Sequence, residues 1–270
     1  MNALLNGKLS GDLAQSRGLH YGDGVFRTIL IWDAQLIDWD LHIEKLSADC
    51  VALDLDMPNV ALLHAEAMQL AAMQARSVLK VIVMRQAGGR GYRADTRASD
   101  RLLLSYAAPK YPDRCWESGI NACSPDFRLA SQPALAGLKH LNRLEQVMAS
   151  RNWPENADEG ILCDQSGNLV SGTRSNLFWV SSGKLHSPSL TESGVSGMMR
   201  KKIIKLGETM QIATSVVKAQ RSALLEADEA FVCNSLIGIW PLRQFESREW
   251  AAPGPITLKL SKALKHPRLA

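Results

Sequence analysis

Lys139 stands in the run AGLKHLNRLEQ, residues 136–146, with Leu135 and Leu138 before it and Leu141 and Leu144 after it. A lysine at the edge of an apolar pocket is poorly solvated. Its charged form is destabilised and its pKa falls. The neutral amine that results attacks a carbonyl and holds it as a Schiff base. The ordinary alternative, for any single lysine, is a solvated surface position.

Two further runs carry chemistry. Residues 194–197, GVSG, lead into MMRKKIIKLGETM and read as a small-residue turn entering a helix. Backbone N–H groups at a helix N-terminus bind phosphate. The competing reading is a plain cap, with Ser196 as the capping side chain and nothing bound. Arg90 sits in the glycine-rich run AGGRGYRADTRASD. An arginine there suits a carboxylate, which its guanidinium grips with two parallel hydrogen bonds; the alternative is a solvated loop arginine. Other chemistries are excluded by spacing. GGRGY lacks the GxGxxG pattern and a helix start behind it. GVSG is not the GxSxG turn of serine hydrolases. The six histidines are dispersed without ligand spacing, so no metal site is expected.

Those runs need elements to position them. At 270 residues the chain can bury a core in one large domain or two smaller ones. With 46% hydrophobic and 21% charged residues it has the composition of an ordinary soluble protein. No apolar run is long enough to span a bilayer, and MNALLNGKLSGD does not read as a signal peptide. The net charge of +4 comes without a basic stripe or interleaved aromatics. Nucleic acid is therefore not an expected partner, and small anions are. Cys50, Cys115, Cys123, Cys163 and Cys233 are odd in number and form no CxxC. Reduced thiols in a cytoplasmic protein are the simplest expectation.

In the first part of the chain, residues 1–9 read as a strand ending near Gly11. VFRTILIW reads as a strand turning at Asp33-Ala34. Ile43, Leu46, Cys50 and Leu53 recur at helical spacing, and residues 60–76 give a second helix. LKVIVMRQ and RLLLSYAAP read as strands on either side of the Arg90 loop. Residues 109–113 read as a linker. Beyond it, the strands NACSP, EGILCD, NLFWV and EAFVCN alternate with helices after Leu141, Met198, Arg221 and Thr257. The expected architecture is α/β (α+β): two domains, 1–112 and 113–270, with mixed sheets and flanking helices. A site between domains is the common arrangement.

AGLKHLNRLEQ, together with YGDGVFRT, SNLFWV, GVSGMMR and CNSLIGIWPL, resembles the class IV aminotransferases, a family of fold type IV pyridoxal-phosphate enzymes. LAGLKHLNRLEQ is most similar to the lyase members, which release 4-aminobenzoate and pyruvate. The resemblance implies that pyridoxal 5'-phosphate is bound through Lys139, within a smaller N-terminal domain and a larger cofactor-binding C-terminal one. It implies that Val195 and Ser196 offer backbone amides to the phosphate and that Ser235 offers a hydroxyl. Thr28 and Arg90 match positions that face substrate, with Thr28 also assisting the leaving group. It further implies a homodimer.

The chain departs from the family pattern twice. Lys45 stands where relatives carry arginine, so a compact charge replaces a planar fork at the phosphate. The bland alternative is a solvated helix lysine paired with nearby carboxylates. Ser171 stands where relatives carry the glutamate that contacts the cofactor's pyridine nitrogen, and no carboxylate in VSGTRSNLFWV replaces it. Two rival readings stay open: a branched-chain or D-amino acid aminotransferase of the same fold, and a catalytically silent homologue serving as a binding subunit.

Overall fold

The computed structural model describes residues 2–9, 13, 15–88 and 91–269. The chain divides into two compact units. One is Met1–Pro109 with Leu138–Asn142, the other Lys110–Gly137 with Arg143–Ala270.

The first unit begins with β1 (Asn2–Leu5) and β2 (Lys8–Leu9). Asn6 and Gly7 between them are both left-handed, at φ 49° and 79°. An Asn-Gly pair favours this two-residue hairpin turn. The single strand expected over residues 1–9 is therefore a hairpin; Met1 and Gly11 lie outside the described residues. Next come α1 (Arg17–Tyr21), capped by the Ser16 hydroxyl, and β3 (Gly24–Trp32). The Asp33-Ala34 turn is left-handed at both residues and leads into β4 (Gln35–Leu36). Helices α2 (Trp39–Ala52) and α3 (Val60–Met73) follow. β5 (Arg76–Arg85) and β6 (Ser99–Ala107) complete the unit. The expected helix over 60–76 stops at Met73 because Gln74 is extended and Arg76 already pairs with Trp32.

The sheet order is β2-β1-β6-β5-β3-β4, antiparallel throughout. Alternation along β3 puts Val25, Ile29 and Ile31 into one core with Leu46 and Cys50 of α2 and with Leu63, Ala67 and Leu70 of α3. Each Val, Leu or Ile among them contributes about 1.5–3 kcal/mol by leaving water. The same period of two puts Arg27 on the core face and Phe26 and Thr28 on the other. The start of β3 is paired by residues 138–142, which arrive from later in the sequence. Phe26 N–H donates to the Lys139 carbonyl at 2.9 Å and Leu141 N–H to the Gly24 carbonyl at 2.9 Å, with a Val25–His140 bridge between.

The second unit contains α4 (Arg114–Glu117), β7 (Ile120–Cys123), β8 (Arg128–Leu129) and α5 (Leu144–Ala149). It continues with β9 (Glu159–Asp164), β10 (Leu169–Gly172), β11 (Asn176–Ser181) and β12 (Lys184–Pro188). Then come α6 (Met198–Thr209), β13 (Thr214–Val217), α7 (Ser222–Leu225) and β14 (Glu229–Asn234). β15 (Gly238–Phe245), β16 (Arg248–Glu249) and α8 (Pro255–Leu264) end it. The main path of the sheet is β10-β9-β7-β15-β14-β11-β12-β13, with β16 beside β15 and β8 beside β9. Pairings β7/β9, β7/β15, β8/β9 and β12/β13 are parallel and the others antiparallel. Phe178 and Phe231 stack with ring centroids 4.9 Å apart at the centre of this sheet. All five cysteines are free thiols, and no described helix is long and apolar enough to cross a membrane.

Candidate active site

In the first unit, Lys139 lies in an extended segment and not at a helix start; the next helix, α5, begins at Leu144. Its carbonyl is tied to β3, and its N–H donates to Asp49 Oδ2 of α2 at 3.2 Å. With the peptide held on both sides, the side chain extends over the Phe26 ring, Nζ lying 4.5 Å from the centroid. Lys80 of β5 places its Nζ 5.0 Å from the same centroid. A ring face attracts cations and shields them from water on that side. Thr28 lies opposite Lys80 in register, on the same sheet face as Phe26. The leucine setting expected from sequence holds in part. Leu138 is buried, whereas Leu144 is 70% exposed, so Phe26 supplies apolar surface that Leu144 does not.

Asp49 is fully buried and collects three donors. Besides Lys139 N–H, its carboxylate pairs with the Arg27 guanidinium and with the Lys45 ammonium one helical turn earlier. The bland reading of Lys45, a helix lysine paired with a carboxylate, is thus half right. The pair exists, but it is not solvated: the Lys45 side chain is 19% exposed and that of Asp49 not at all. Burial, and secondarily the Arg27 charge, bring the Lys45 ammonium down to about 8. Burial likewise lowers Arg27, to about 10. Neither Asp49 nor Arg27 was singled out from sequence. The Lys45–Asp49 spacing of four was a readable signal. An arginine on the core face of a strand was not.

Arg90 lies outside the described residues. The loop resumes at Gly91, where Arg17 donates to the Gly91 and Tyr92 carbonyls at 2.9 and 3.0 Å. Asp23 accepts from both Arg17 and Arg85, at 2.9 and 3.0 Å.

In the second unit, the 194–197 turn precedes α6. The N-cap is Gly197, and no side chain caps the helix. Ser196 therefore does not act as the cap that competed with phosphate binding. The turn is held by its neighbours. Gly137 N–H donates to Gly194 C=O at 2.9 Å and Ser196 N–H to Gly137 C=O at 3.0 Å. Asn176 Nδ2 donates to Val195 C=O at 2.7 Å. A Cβ on Gly197 would sit 2.3 Å from Asn176 Oδ1, so a larger residue there would displace the side chain that holds the Val195 carbonyl. The Ser196 amide is engaged within the turn that leads into α6. Arg200 fixes the helix to β12 by donating to Ser187 Oγ and Pro188 C=O, both at 2.9 Å.

Ser171 is buried on β10, just past a register shift against β9. The run around it supplies no carboxylate, as read, but the fold brings Glu159 of β9 beside Gly172. A Cβ on Gly172 would lie 2.9 Å from the Glu159 carboxyl. That carboxylate accepts from Gly160 N–H at 3.0 Å and Thr173 N–H at 3.0 Å. Thr173 Oγ1 at 2.6 Å and Ser175 Oγ at 2.7 Å complete the set. Ser235 follows Asn234, whose Oδ1 accepts from Leu236 and Ile237 N–H and whose Nδ2 donates to the Arg174 carbonyl. Asn176 pairs with Cys233 in register. The 171–176 run, the 194–197 turn and the 234–237 turn therefore gather at one end of this sheet. A helix start without a side-chain cap, in a turn held by Gly137 and Asn176, fits a phosphate. A backbone-pinned lysine over an aromatic ring fits a carbonyl held as a Schiff base.

The amino-transferase class IV family model matches residues 24–245. The aminodeoxychorismate lyase of Vibrio harveyi is 32% identical over 252 residues, covering 92% of each chain. The D-alanine aminotransferase of Bacillus licheniformis is 25% identical, covering 98% of this chain and 96% of its own. The crystal structure of 4-amino-4-deoxychorismate lyase from Pseudomonas aeruginosa superposes with a TM-score of 0.93 at 35% identity, over 97% of this chain and 98% of that one. One antiparallel and one mixed sheet with flanking helices match the fold of type IV enzymes, and the chain belongs to the class IV aminotransferase family.

Proposed function

We propose that this chain is a pyridoxal-phosphate-dependent carbon–oxygen lyase that converts 4-amino-4-deoxychorismate to 4-aminobenzoate and pyruvate. The observation that carries the reading is the Lys139 segment, whose peptide is fixed by Asp49 and Phe26 and whose Nζ lies over the Phe26 ring. The lyase relatives from Vibrio harveyi and Pseudomonas aeruginosa support the substrate. Pyridoxal phosphate, when bound, supplies an electron-withdrawing ring that acidifies the carbon bearing the substrate nitrogen. Lys139, which would hold the cofactor, would with its Nζ amine take the proton from that carbon. The carbon–oxygen bond to the enolpyruvyl group would then break and the ring become aromatic, and the released enol tautomerises to pyruvate, gaining a proton on carbon and losing the one on oxygen. Thr28 Oγ1 delivers a proton to the leaving oxygen, and Arg90 binds a substrate carboxylate. Lys45, Val195, Ser196 and Ser235 hold the phosphate, and Ser171 hydrogen-bonds the pyridine nitrogen.

The same reading carries the division into a smaller domain, 1–112, and a larger cofactor-binding domain, 113–270. It also carries a cytoplasmic homodimer without nucleic-acid or membrane partners. Borohydride reduction of the protein with pyridoxal phosphate, followed by peptide mapping, is expected to place the label on Lys139. A label on another lysine, or none, sinks the assignment. The D-alanine aminotransferase relative favours one second reading, transamination. Release of 4-aminobenzoate together with pyruvate supports the lyase. Brisk amino-group exchange with 2-oxoglutarate and no such release supports the aminotransferase.

A further inference from the structure

We propose that Asp49 is a positioning residue that ties Lys139 and Lys45 to one buried carboxylate, so that capture of an anion by Lys45 and placement of Lys139 are coupled. The inference rests on the reading above for the roles of the two lysines. The coupling itself comes from geometry. Oδ2 accepts from Lys139 N–H and meets the Arg27 guanidinium, while Oδ1 meets Lys45.

Three features make the carboxylate a hub and not an ordinary helix ion pair. It is completely buried, and its Arg27 partner nearly so, at 0% and 3% side-chain exposure. Two cations share one carboxylate, so the cluster keeps one formal positive charge. That charge has its most accessible point at Lys45, the more exposed of the two cations. An incoming phosphate therefore competes with Asp49 for Lys45. When it wins, the carboxylate is left to Arg27 and Lys139 N–H, and the lysine-bearing segment is held more firmly. Linkage requires the converse: a segment held firmly by Asp49 favours anion capture. Charged or titratable groups near the hub include Lys80, over the same Phe26 ring, and the Cys50 thiol, which burial pushes up to about 11.

Asp49→Asn tests the coupling. The amide keeps an acceptor for Lys139 N–H but removes the negative charge that competes for Lys45. Inorganic phosphate binding, measured by calorimetry well below pH 8, is expected to tighten about tenfold, the worth of one charge-assisted contact. The pH midpoint of the absorbance change of the Lys139–cofactor chromophore is expected to fall, since a more positive surrounding disfavours a further proton. Unchanged phosphate affinity with an unchanged midpoint overturns the proposal. If Asp49→Asn does not fold, Asp49→Glu serves. It keeps the charge on a longer arm, so phosphate affinity should stay within about twofold while the midpoint shifts; a variant matching the parent in both overturns the proposal. If the parent forms no chromophore at Lys139, the functional reading has failed. If the parent forms it and the Asp49 variants behave like the parent, only the hub has failed.

Discussion

Each unit buries a carboxylate completely, and the two are satisfied in opposite ways. Asp49 is surrounded by two cations and one backbone N–H. Glu159 is surrounded by neutral donors, two N–H groups and two hydroxyls, with Arg174 only at its margin, 3.9 Å away and half exposed. A carboxylate held by neutral dipoles fixes a shape, here the 172–175 turn beside Ser171. A carboxylate held by cations fixes a shape and also a charge balance, which any arriving anion alters. Lys139 and Lys45 sit beside the second kind, and Ser171 beside the first.

The comparison breaks or sharpens through four substitutions. Asp49→Ala should be the most damaging, because it strands the buried Arg27 guanidinium. A loss of about 3–5 kcal/mol is expected in chemical denaturation. If Glu159→Ala costs more than Asp49→Ala, the contrast between ionic and neutral satisfaction is wrong. Gly172→Ala comes next. Its Cβ would meet Ser175 Oγ at 2.1 Å and the Glu159 carboxyl at 2.9 Å, and such overpacking costs about 1–3 kcal/mol. A neutral result would mean the Glu159 turn is softer than its hydrogen bonds imply.

The third prediction concerns pH. The Lys45 ammonium is charged below about 8 and neutral above it, so phosphate affinity should be full below that pH and lost as pH rises through it. Lys45→Arg should keep the affinity above pH 8, by about tenfold at the alkaline end. Its folded value lies below the unfolded one, so the folded chain binds fewer protons between the two. Stability in the parent should accordingly rise across that window. A phosphate affinity that is flat with pH in the parent removes Lys45 from the anion site. The smallest effect belongs to Glu159→Gln. The hydroxyls can turn to meet an amide, so about 1 kcal/mol of stability should go. The pH profile of phosphate binding should not move; a shift there would show that Glu159 also works through its charge.

Much of this was legible in the sequence, though sometimes for the wrong reason. Lys139 was found through flanking leucines, yet the ring beneath it is Phe26, which comes from a distant strand and which no local pattern could indicate. Asn6-Gly7 is itself a hairpin signal, since both residues take the left-handed turn conformation. β15 was missed because Pro241 interrupts its pattern; it lacks an N–H for the ladder and still pairs with Phe231. The period of two along β3 already placed Arg27 beside Val25 and Ile29. Sequence reasoning expects such an arginine to face water, and only Asp49 on the packed helix makes its burial tolerable. Glu159 had no local signal at all, since its partners, Thr173 and Ser175, lie across a strand pair and a turn.

The five residues Leu138–Asn142 that complete the first unit have one consequence for how the chain is made. On the ribosome, the edge of β3 from Gly24 to Phe26 emerges long before the segment that pairs with it. Until residue 142 has been synthesised, that edge offers unpaired N–H and C=O groups to any neighbouring strand. A chain ending at residue 112 would carry the edge permanently. Such a fragment is expected to self-associate in a concentration-dependent way that the full chain does not.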